Sequence, residues 1–250
     1  MAFRKYLAAF VNLLYPMHCV GCRKSLHNEE SRYLCKNCWT GINYITGTRC
    51  PRCGMGLGDF ALVSQEGCTE CRTRSFRFDG AFSATYYEGV TKELIHQFKY
   101  GRQEFLAEPL AELLVRYVKE IDPRPTDVNM VVAVPLHSRK RAERGFNQAE
   151  LLGRNAGRSL GIDVCTGGLK RVRNTPSQTN QPYYRREENV RGAFLVKKPA
   201  KFKEKDILLV DDVFTSGLTA SECARVLKES GARRVYVLTI AKSRRMMAGA

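Results

Sequence analysis

The chain has 250 residues, 44% of them hydrophobic, with 41 Lys and Arg against 25 Asp and Glu and a formal net charge of +16. This content can bury one core of roughly 150 residues plus a small module, which excludes two large domains. Because the basic residues are spread over both halves of the chain, they belong to folded surfaces, and polyanions are the natural partners of such surfaces.

Residues 1–18 combine a basic start with an apolar stretch. Asn12 interrupts the stretch and Pro16 ends it far short of a membrane span, and no small-residue cleavage site follows. We predict one amphipathic helix that packs on the next module, with a membrane-surface role as the weaker alternative. No other segment approaches transmembrane length, so the sequence predicts a soluble, cytoplasmic protein without a membrane span.

Eight of the ten cysteines form four Cys-x-x-Cys pairs. A tetrahedral zinc site needs four thiolates from two short turns, and each pair places two sulfurs on one turn. The order of the pairs predicts two structural Zn²⁺ sites in a double zinc-ribbon module at residues 19–75. The ligands of the first site are Cys19, Cys22, Cys35 and Cys38, and those of the second are Cys50, Cys53, Cys68 and Cys71.

Other interpretations of the cysteines fit less well. A disulfide framework requires an oxidising compartment, and a redox dithiol usually occurs as one pair beside a βαβ unit. Cys165 and Cys223 have no such partners, so we expect packed thiols there. Basic residues around the tetrads, interleaved with Tyr33 and Trp39, either bind single-stranded nucleic acid or keep the module soluble, and both alternatives stay open. These residues are Arg23, Lys24, Arg32, Lys36, Arg49, Arg52, Arg72, Arg74 and Arg77.

From residue 78 to residue 250, β-rich runs alternate with helical patterns. Alternation of this kind predicts an α/β domain in which helices flank a parallel sheet. The predicted strands are residues 81–87, 131–134, 193–196, 207–210 and 235–240, and helical spacing of apolar residues covers 90–117 and 144–160.

The most informative segment is the apolar run 207–210 with the residues that follow it. Asp211 and Asp212 come directly after the run, and a small hydroxyl/glycine turn then opens a helix. This order brings carboxylates next to backbone N–H groups at the positive end of a helix, as a sugar phosphate requires. We therefore predict that Asp211 and Asp212 are catalytic and face solvent beyond the strand end; an Asp-capped turn without a ligand is the alternative. The predicted phosphate-binding residues are Val213, Phe214, Thr215, Ser216, Gly217, Leu218 and Thr219.

Two further loops have polar, basic sequences. The loop after strand 131–134 contains Leu136, His137, Arg139 and Arg141, and strand-end loops of a parallel sheet flank one crevice, so these cations are predicted to bind pyrophosphate. A solvated helix start is the alternative. Residues 170–194 are too long for a simple connection, which predicts either a lid or a mobile surface loop. The lid candidates are Arg173, Thr175, Gln178 and Arg186.

Together, the four cysteine pairs, the segment 135–148, the loop 173–189 and the segment 211–219 resemble the ComF family over nearly the whole chain. Members combine an N-terminal double zinc ribbon with a type I phosphoribosyltransferase domain and are associated with competence for natural transformation. The resemblance implies a phosphoribosyltransferase-type parallel sheet and binding of PRPP with Mg²⁺. In this signature the acidic pair holds the ribose hydroxyls and the turn takes the 5′-phosphate. It also implies a role in DNA uptake, with single-stranded DNA and competence DNA-processing proteins as partners.

Two classes of function follow. A phosphoribosyltransferase needs a metal, cations for the leaving pyrophosphate and a pocket for an incoming base, and no nucleobase-binding segment is recognisable. A binding module would sense PRPP or handle single-stranded DNA without turnover. Nucleotide salvage is the weaker interpretation, because such enzymes need no zinc arm. The sequence leaves enzyme activity open.

Overall fold

The computed structural model describes residues 17–26, 33–59, 61–174 and 183–244, with only the backbone described at 183–186. The helix predicted at 1–18 therefore lies almost entirely outside the described residues. Within the described part, no helix is both long enough and apolar enough to cross a membrane.

A parallel sheet forms the centre of the fold, in the strand order β1-β7-β6-β2-β3, and β4 and β5 form a separate antiparallel pair. The strands are β1 Gly80–Tyr86, β2 Met130–Ala133, β3 Val164–Cys165, β4 Leu169–Arg171, β5 Phe194–Val196, β6 Asp206–Phe214 and β7 Arg234–Lys242. The helices are α1 Lys36–Thr40, α2 Thr69–Arg72, α3 Gly89–Tyr100, α4 Ala107–Arg116, α5 Ser138–Arg144, α6 Gln148–Leu160, α7 Tyr183–Val190 and α8 Leu218–Glu229.

Alternating side chains of β6 build a core on each face of the sheet. Leu208 and Val210 pack on the face covered by α3, α4 and α6, whereas Ile207 and Leu209 pack on the face covered by α8. All four are fully buried, as expected for a central strand of a parallel sheet. The strand ends between these layers are where a ligand crevice is expected.

Two of the helices have bounds that differ from those predicted from the sequence. The segment 90–117 contains two helices, α3 and α4, because the chain leaves the helical conformation at Arg102, whose φ is +53°. The helix predicted from Arg144 begins at Gln148, because Asn147 is extended and donates its side-chain amide to the Val134 carbonyl at 3.1 Å. The pattern missed β3 and β4, which at two and three residues are too short to show a period.

The cysteine-rich segment packs against the outer strand of the sheet. The Ile45 N–H donates to the Ala84 carbonyl at 2.9 Å and so pairs with β1. Arg49 lies 3.5 Å from Asp122, whose side chain is 3% exposed. Gly54 has a φ of +69°, and a Cβ there would lie 2.5 Å from the Ala81 oxygen, so only glycine fits. These contacts cover a strand edge that would otherwise be open.

Candidate functional site

Both predicted cysteine tetrads are assembled. In each tetrad all four Sγ atoms lie within 4.8 Å of one another. The Cys22–Cys35 distance is 3.6 Å, and the Cys50–Cys71 and Cys53–Cys68 distances are both 3.8 Å. Four thiolates around Zn²⁺ at about 2.3 Å would be separated by about 3.8 Å, so the sulfurs fit the ion. The members are Cys19, Cys22, Cys35 and Cys38, and Cys50, Cys53, Cys68 and Cys71.

Backbone hydrogen bonds to sulfur support the same assignment. The Cys35 N–H donates to the Cys19 Sγ at 3.3 Å, and the Cys68 N–H donates to the Cys50 Sγ at 3.2 Å. Such donors stabilise thiolates, which are the form that binds zinc. The two tetrads therefore fit two structural zinc sites, and zinc would supply folding free energy to a module with little apolar core of its own.

The acidic pair lies inside β6, not beyond it, because the strand continues to Phe214. Adjacent strand residues point to opposite faces. Asp211 lines a cavity of about 40 Å³ on the α8 side, whereas Asp212 points to the α3 side and is 8% exposed. The prediction that both carboxylates face solvent is therefore wrong for Asp212.

Lys99 on α3 holds the Asp212 carboxylate. Its Nζ lies 2.8 Å from Oδ1 of Asp212, and the two side chains are 18% and 12% exposed. Burial alone would lower the pKa of Lys99, but the adjacent Asp212 carboxylate outweighs it and the pKa is raised. Asp212 is thus committed to an ion pair within the protein.

Among the described residues, no cation forms a comparable ion pair with Asp211. Its carboxylate accepts the Asp212 N–H at 2.9 Å. Burial, reinforced by the Asp212 charge, raises the pKa of Asp211 to about 7. A carboxyl group with that pKa exchanges readily between its protonated and ionised forms at neutral pH, which is typical of functional sites.

The turn between β6 and α8 faces the same cavity as Asp211. Thr215, Gly217 and Thr219 contribute to its lining. Gly217 has a φ of +78°, and a Cβ there would lie 2.7 Å from the Phe214 ring. The first N–H groups of α8 have no carbonyl partner within the helix and lie at its positive end. The cavity therefore brings together a carboxylate and a helix terminus suited to anions.

The other predicted phosphate-binding residues contact the protein interior. Val213 packs on the core of the α3 side, and Phe214 packs on that of the α8 side. Ser216 and Leu218 are 2% and 7% exposed. Val213 and Phe214 also line the cavity, whereas the buried Ser216 and Leu218 would contact a ligand through the backbone.

The loop after β2 leads into α5, a helix start of the kind that the alternative interpretation of this loop described. His137 caps the helix, since its Nδ1 accepts the Arg139 N–H at 3.3 Å. Arg139 lies 3.4 Å from Glu143 and its side chain is 73% exposed, so it faces solvent. Arg141 lies 3.4 Å from Glu150 and, with Leu136, lines the crevice described next.

A crevice of about 380 Å³ lies beyond the ends of β2 and β3. Cations outnumber acids in its lining, where Arg141, Lys170, Arg171 and Lys197 face one acid, Glu150. Burial lowers the pKa of Arg171, an effect that the Asp211 charge opposes. Burial and the Arg171 charge also lower the pKa of Lys140. The buried Arg171 and the excess of cations in the lining favour an anion in the crevice.

The lid candidates are only partly described. Arg173 donates to the Arg191 carbonyl at 2.7 Å, which ties the start of the segment to the end of α7. Thr175 and Gln178 lie outside the described residues, and so does the Arg186 side chain. Lid closure stays a prediction.

Sequence reasoning missed Lys99 and Arg171. Lys99 follows Ile95 by four residues and so falls on the apolar face of α3, where a lysine needs a partner. That spacing was the available signal. Arg171 carries no comparable signal, because its position depends on β4, a three-residue strand.

Residues 10–73 match the double zinc ribbon domain. The chain is 32% identical over 197 residues to the DNA utilization protein YhgH of Salmonella typhi, covering 78% of this chain and 84% of that protein. It is 28% identical over 233 residues to competence protein F of Haemophilus influenzae, covering 92% and 98%. The glutamine phosphoribosylpyrophosphate amidotransferase of B. subtilis superposes with a TM-score of 0.40 at 18% identity over 58% of this chain and 30% of that one. An overlap of that extent says nothing about ligands.

A parallel five-stranded sheet beside two cysteine tetrads defines an α/β protein with a double zinc ribbon. The predicted fold class is confirmed as a parallel sheet flanked by helices with a small N-terminal zinc-ribbon module. The chain belongs to the ComF family.

Proposed function

We propose that the cavity at Asp211 and the neighbouring crevice together bind a ribose phosphate that carries a diphosphate, a ligand of the PRPP class, with Mg²⁺. The observation that supports this most is that Asp211 shares one cavity with Thr215, Gly217 and Thr219 at the start of α8. Asp211 would accept hydrogen bonds from ribose hydroxyls. The backbone N–H groups of the turn and of α8 would hold the 5′-phosphate.

The diphosphate end of the ligand would lie among the cations. Positive charge near the strand ends comes from Lys140, Arg141 and Arg171. Arg171 interacts electrostatically with Asp211. Mg²⁺ suits this site, because it binds chiefly to diphosphate oxygens and water, with few protein ligands. When bound, it would neutralise the diphosphate. If the protein released pyrophosphate from PRPP when a base or nitrogen acceptor was present, it would be a phosphoribosyltransferase as well as a binding protein.

We assign the double ribbon to residues 19–75 and the ribose-phosphate-binding domain to 78–250. Cysteines that bind zinc must stay reduced, which favours a reducing compartment, so we place the protein in the cytoplasm. The relatives are named for competence and DNA utilization. We therefore infer that ligand binding serves DNA uptake or use, with competence DNA-processing proteins as partners.

Thr215 provides a mild test of the phosphate site. Its side chain is exposed, so Thr215→Ala should leave the fold intact while removing one donor to a charged group. Such a hydrogen bond contributes about 1.5–3 kcal/mol, so PRPP affinity should fall at least about tenfold in calorimetric titrations with Mg²⁺. Thr215→Ser, which keeps the hydroxyl, should bind like the wild type. Equal PRPP affinity of the wild type and both variants would show that the Thr215 hydroxyl does not contact the ligand.

A surface next to the crevice supports a second function, binding of single-stranded DNA. Tyr100 and Phe105 are 64% and 49% exposed, and Phe105 stacks on Tyr33 with ring centroids 5.5 Å apart. The Arg144 guanidinium lies 5.3 Å from the Tyr100 ring, and Arg102, which lies between the two aromatics in the sequence, is exposed. We call these five residues the aromatic strip. Exposed rings bordered by cations suit stacked bases and their phosphates.

The arginines of the ribbons fit this role less well. Arg49 pairs with Asp122, and Arg74 lies 3.1 Å from Glu70. Arg52 donates to two backbone carbonyls, those of Cys71 at 2.5 Å and Arg74 at 2.8 Å. Arg52 and Arg74 thus stabilise the ribbon, and Arg49 joins it to the sheet domain. We therefore move the proposed DNA contacts from the ribbons to the aromatic strip.

Single-stranded oligothymidine is expected to bind with an affinity that falls steeply as salt rises, because each neutralised phosphate releases counterions. Tyr100→Ala with Phe105→Ala should weaken binding at least about tenfold with an unchanged salt slope, since stacking contributes about 1–3 kcal/mol per base. Arg102→Ala with Arg144→Ala should instead make the slope shallower. The measurement is a fluorescence anisotropy titration at several salt concentrations.

Leu62→Ala is the control, because Leu62 is fully exposed and lies outside the strip. It should bind oligothymidine like the wild type. Salt-insensitive binding by the wild type would refute the DNA function itself. Normal binding by both double variants would refute only the strip.

A further inference from the structure

The chain between the second cysteine tetrad and β1 packs against the ribose-phosphate turn. Phe76 and Phe78 stack with ring centroids 4.7 Å apart, five and seven residues after Cys71. Both meet the ring of Phe214 edge-on, at 6.3 Å and 5.9 Å. Phe214 is the last residue of β6 and directly precedes Thr215. One aromatic cluster thus joins the metal site to the start of the turn.

Arg52 connects this cluster to the tetrad itself. It lies between Cys50 and Cys53, and its guanidinium donates to the Cys71 carbonyl at 2.5 Å. The same guanidinium lies 5.7 Å from the Phe76 ring. Arg52 therefore contacts both cysteine pairs of the second site and the first ring of the aromatic cluster.

At the other end, the cluster limits the conformation of the turn. A Cβ at Gly217 would lie 2.9 Å from the Phe76 ring, so Phe76 packs directly over the turn. The Arg77 N–H donates to the Ser221 Oγ in the first turn of α8 at 3.0 Å. Displacement of the segment 76–78 would therefore move both the turn and the start of α8.

We propose that the second zinc site controls the ribose-phosphate turn, so that loss of zinc from that site lowers the affinity for the ligand. Zinc there fixes the carbonyl of Cys71 that Arg52 binds, Arg52 and Phe76 pack together, and Phe76 holds Phe214 and Gly217 in place. The inference rests on the proposed function, because it names a regulator of that same site.

The first zinc site provides the comparison. Three of its cysteines pack with Val20 and Leu34 in the core on the α3 side. Cys50, Cys53 and Cys71 instead belong to the core on the α8 side with Phe214. Among the described residues, the first tetrad has no contact with Phe76 or Gly217 that corresponds to those above. Zinc at the first site should therefore stabilise the protein without affecting the turn.

Two single variants separate the sites. Cys22→Ser and Cys68→Ser each remove one ligand that is not fully buried, and each should leave about one zinc per chain. We expect Cys68→Ser to weaken PRPP binding at least about tenfold in calorimetric titrations, and Cys22→Ser to leave it within about twofold. Equal losses in both variants would contradict a specific link to the second site.

A packing variant tests the link with both zinc ions present. Phe76→Leu should keep two zinc ions, lower PRPP affinity about three- to tenfold and speed amide hydrogen exchange at residues 215–219. Phe82→Leu is the matched control, since Phe82 makes its aromatic contact with Tyr236 and not with the turn. Unchanged exchange and affinity in Phe76→Leu would overturn the proposal. If the wild type did not bind PRPP, the proposed function would fail, while exchange at the turn after zinc loss would still test the link.

Discussion

Protein purified without chelator is expected to contain two Zn²⁺ per chain, and chelation is expected to unfold both ribbons while the sheet persists. The four sulfur atoms of each tetrad already lie within 4.8 Å of one another. Metal binding to such thiolate sites contributes on the order of 10 kcal/mol, far more than the few apolar residues of the ribbons provide. The sheet keeps its own two cores, built from β6 with α3, α4, α6 and α8.

Fluorescence reports this unfolding directly. Trp39 is the only tryptophan of the chain and lies in α1, next to Cys38. Its emission should shift to longer wavelength on chelation and return when zinc is added. Cys165→Ser should keep two zinc ions, since Cys165 belongs to neither tetrad. Metal-free protein with disulfide bonds in place of the thiolates would contradict this account.

Replacing the two aspartates is expected to change stability in opposite directions. Asp212→Asn breaks the ion pair with Lys99 and leaves a buried ammonium group without its counter-charge. Loss of one partner from a buried pair costs about 3–5 kcal/mol, so the free energy of unfolding should fall by about 3 kcal/mol. Lys99→Met in the same chain should restore much of it, since no charge is then left unpaired.

Asp211→Asn should stabilise the protein without ligand. The native pKa of Asp211 is about 7, above the unfolded value near 3.9, so the native state binds the proton more tightly. Stability contributed by that proton is complete at low pH and is lost as pH rises through 7. Asp211→Asn should therefore raise the free energy of unfolding more at pH 8 than at pH 6. The increase should be on the order of 1–2 kcal/mol after allowance for solvent screening.

Denaturant titrations at both pH values measure all of these variants. Equal destabilisation by Asp211→Asn and Asp212→Asn would show that the two carboxylates have equivalent environments. If the effect of Asp211→Asn on stability did not depend on pH, the pKa of Asp211 would not be raised.

Local patterns in the sequence identified the parts of the site that depend on neighbouring residues. The cysteine ligands follow from two-residue spacing, and the order of apolar run, acidic pair and glycine turn placed Asp211 on a strand and Gly217 at the start of the helix that follows it. Both features are set within a few residues of chain. Packing between distant elements does not alter them.

The unequal roles of the two aspartates could not be predicted in the same way. They depend on which helix covers each face of β6, and the sequence does not specify that α3 brings Lys99 to Asp212. The contact between Phe76 and Gly217 joins segments more than 100 residues apart. The division of residues 90–117 into two helices likewise depends on Arg102, whose left-handed backbone conformation has no sequence signature.

Calorimetric titration of the zinc-loaded protein with PRPP and Mg²⁺ tests the central claim most directly, with Asp211→Asn and Leu62→Ala measured in parallel. We expect saturable binding of one PRPP per chain by the wild type and by Leu62→Ala, which changes a fully exposed side chain away from the crevice. Asp211→Asn, although stably folded, should bind at least about a hundredfold more weakly, because the acceptor for the ribose hydroxyls is lost. Absence of saturable binding by the wild type, or equal affinity in Asp211→Asn, would contradict a ribose-phosphate site at the end of β6.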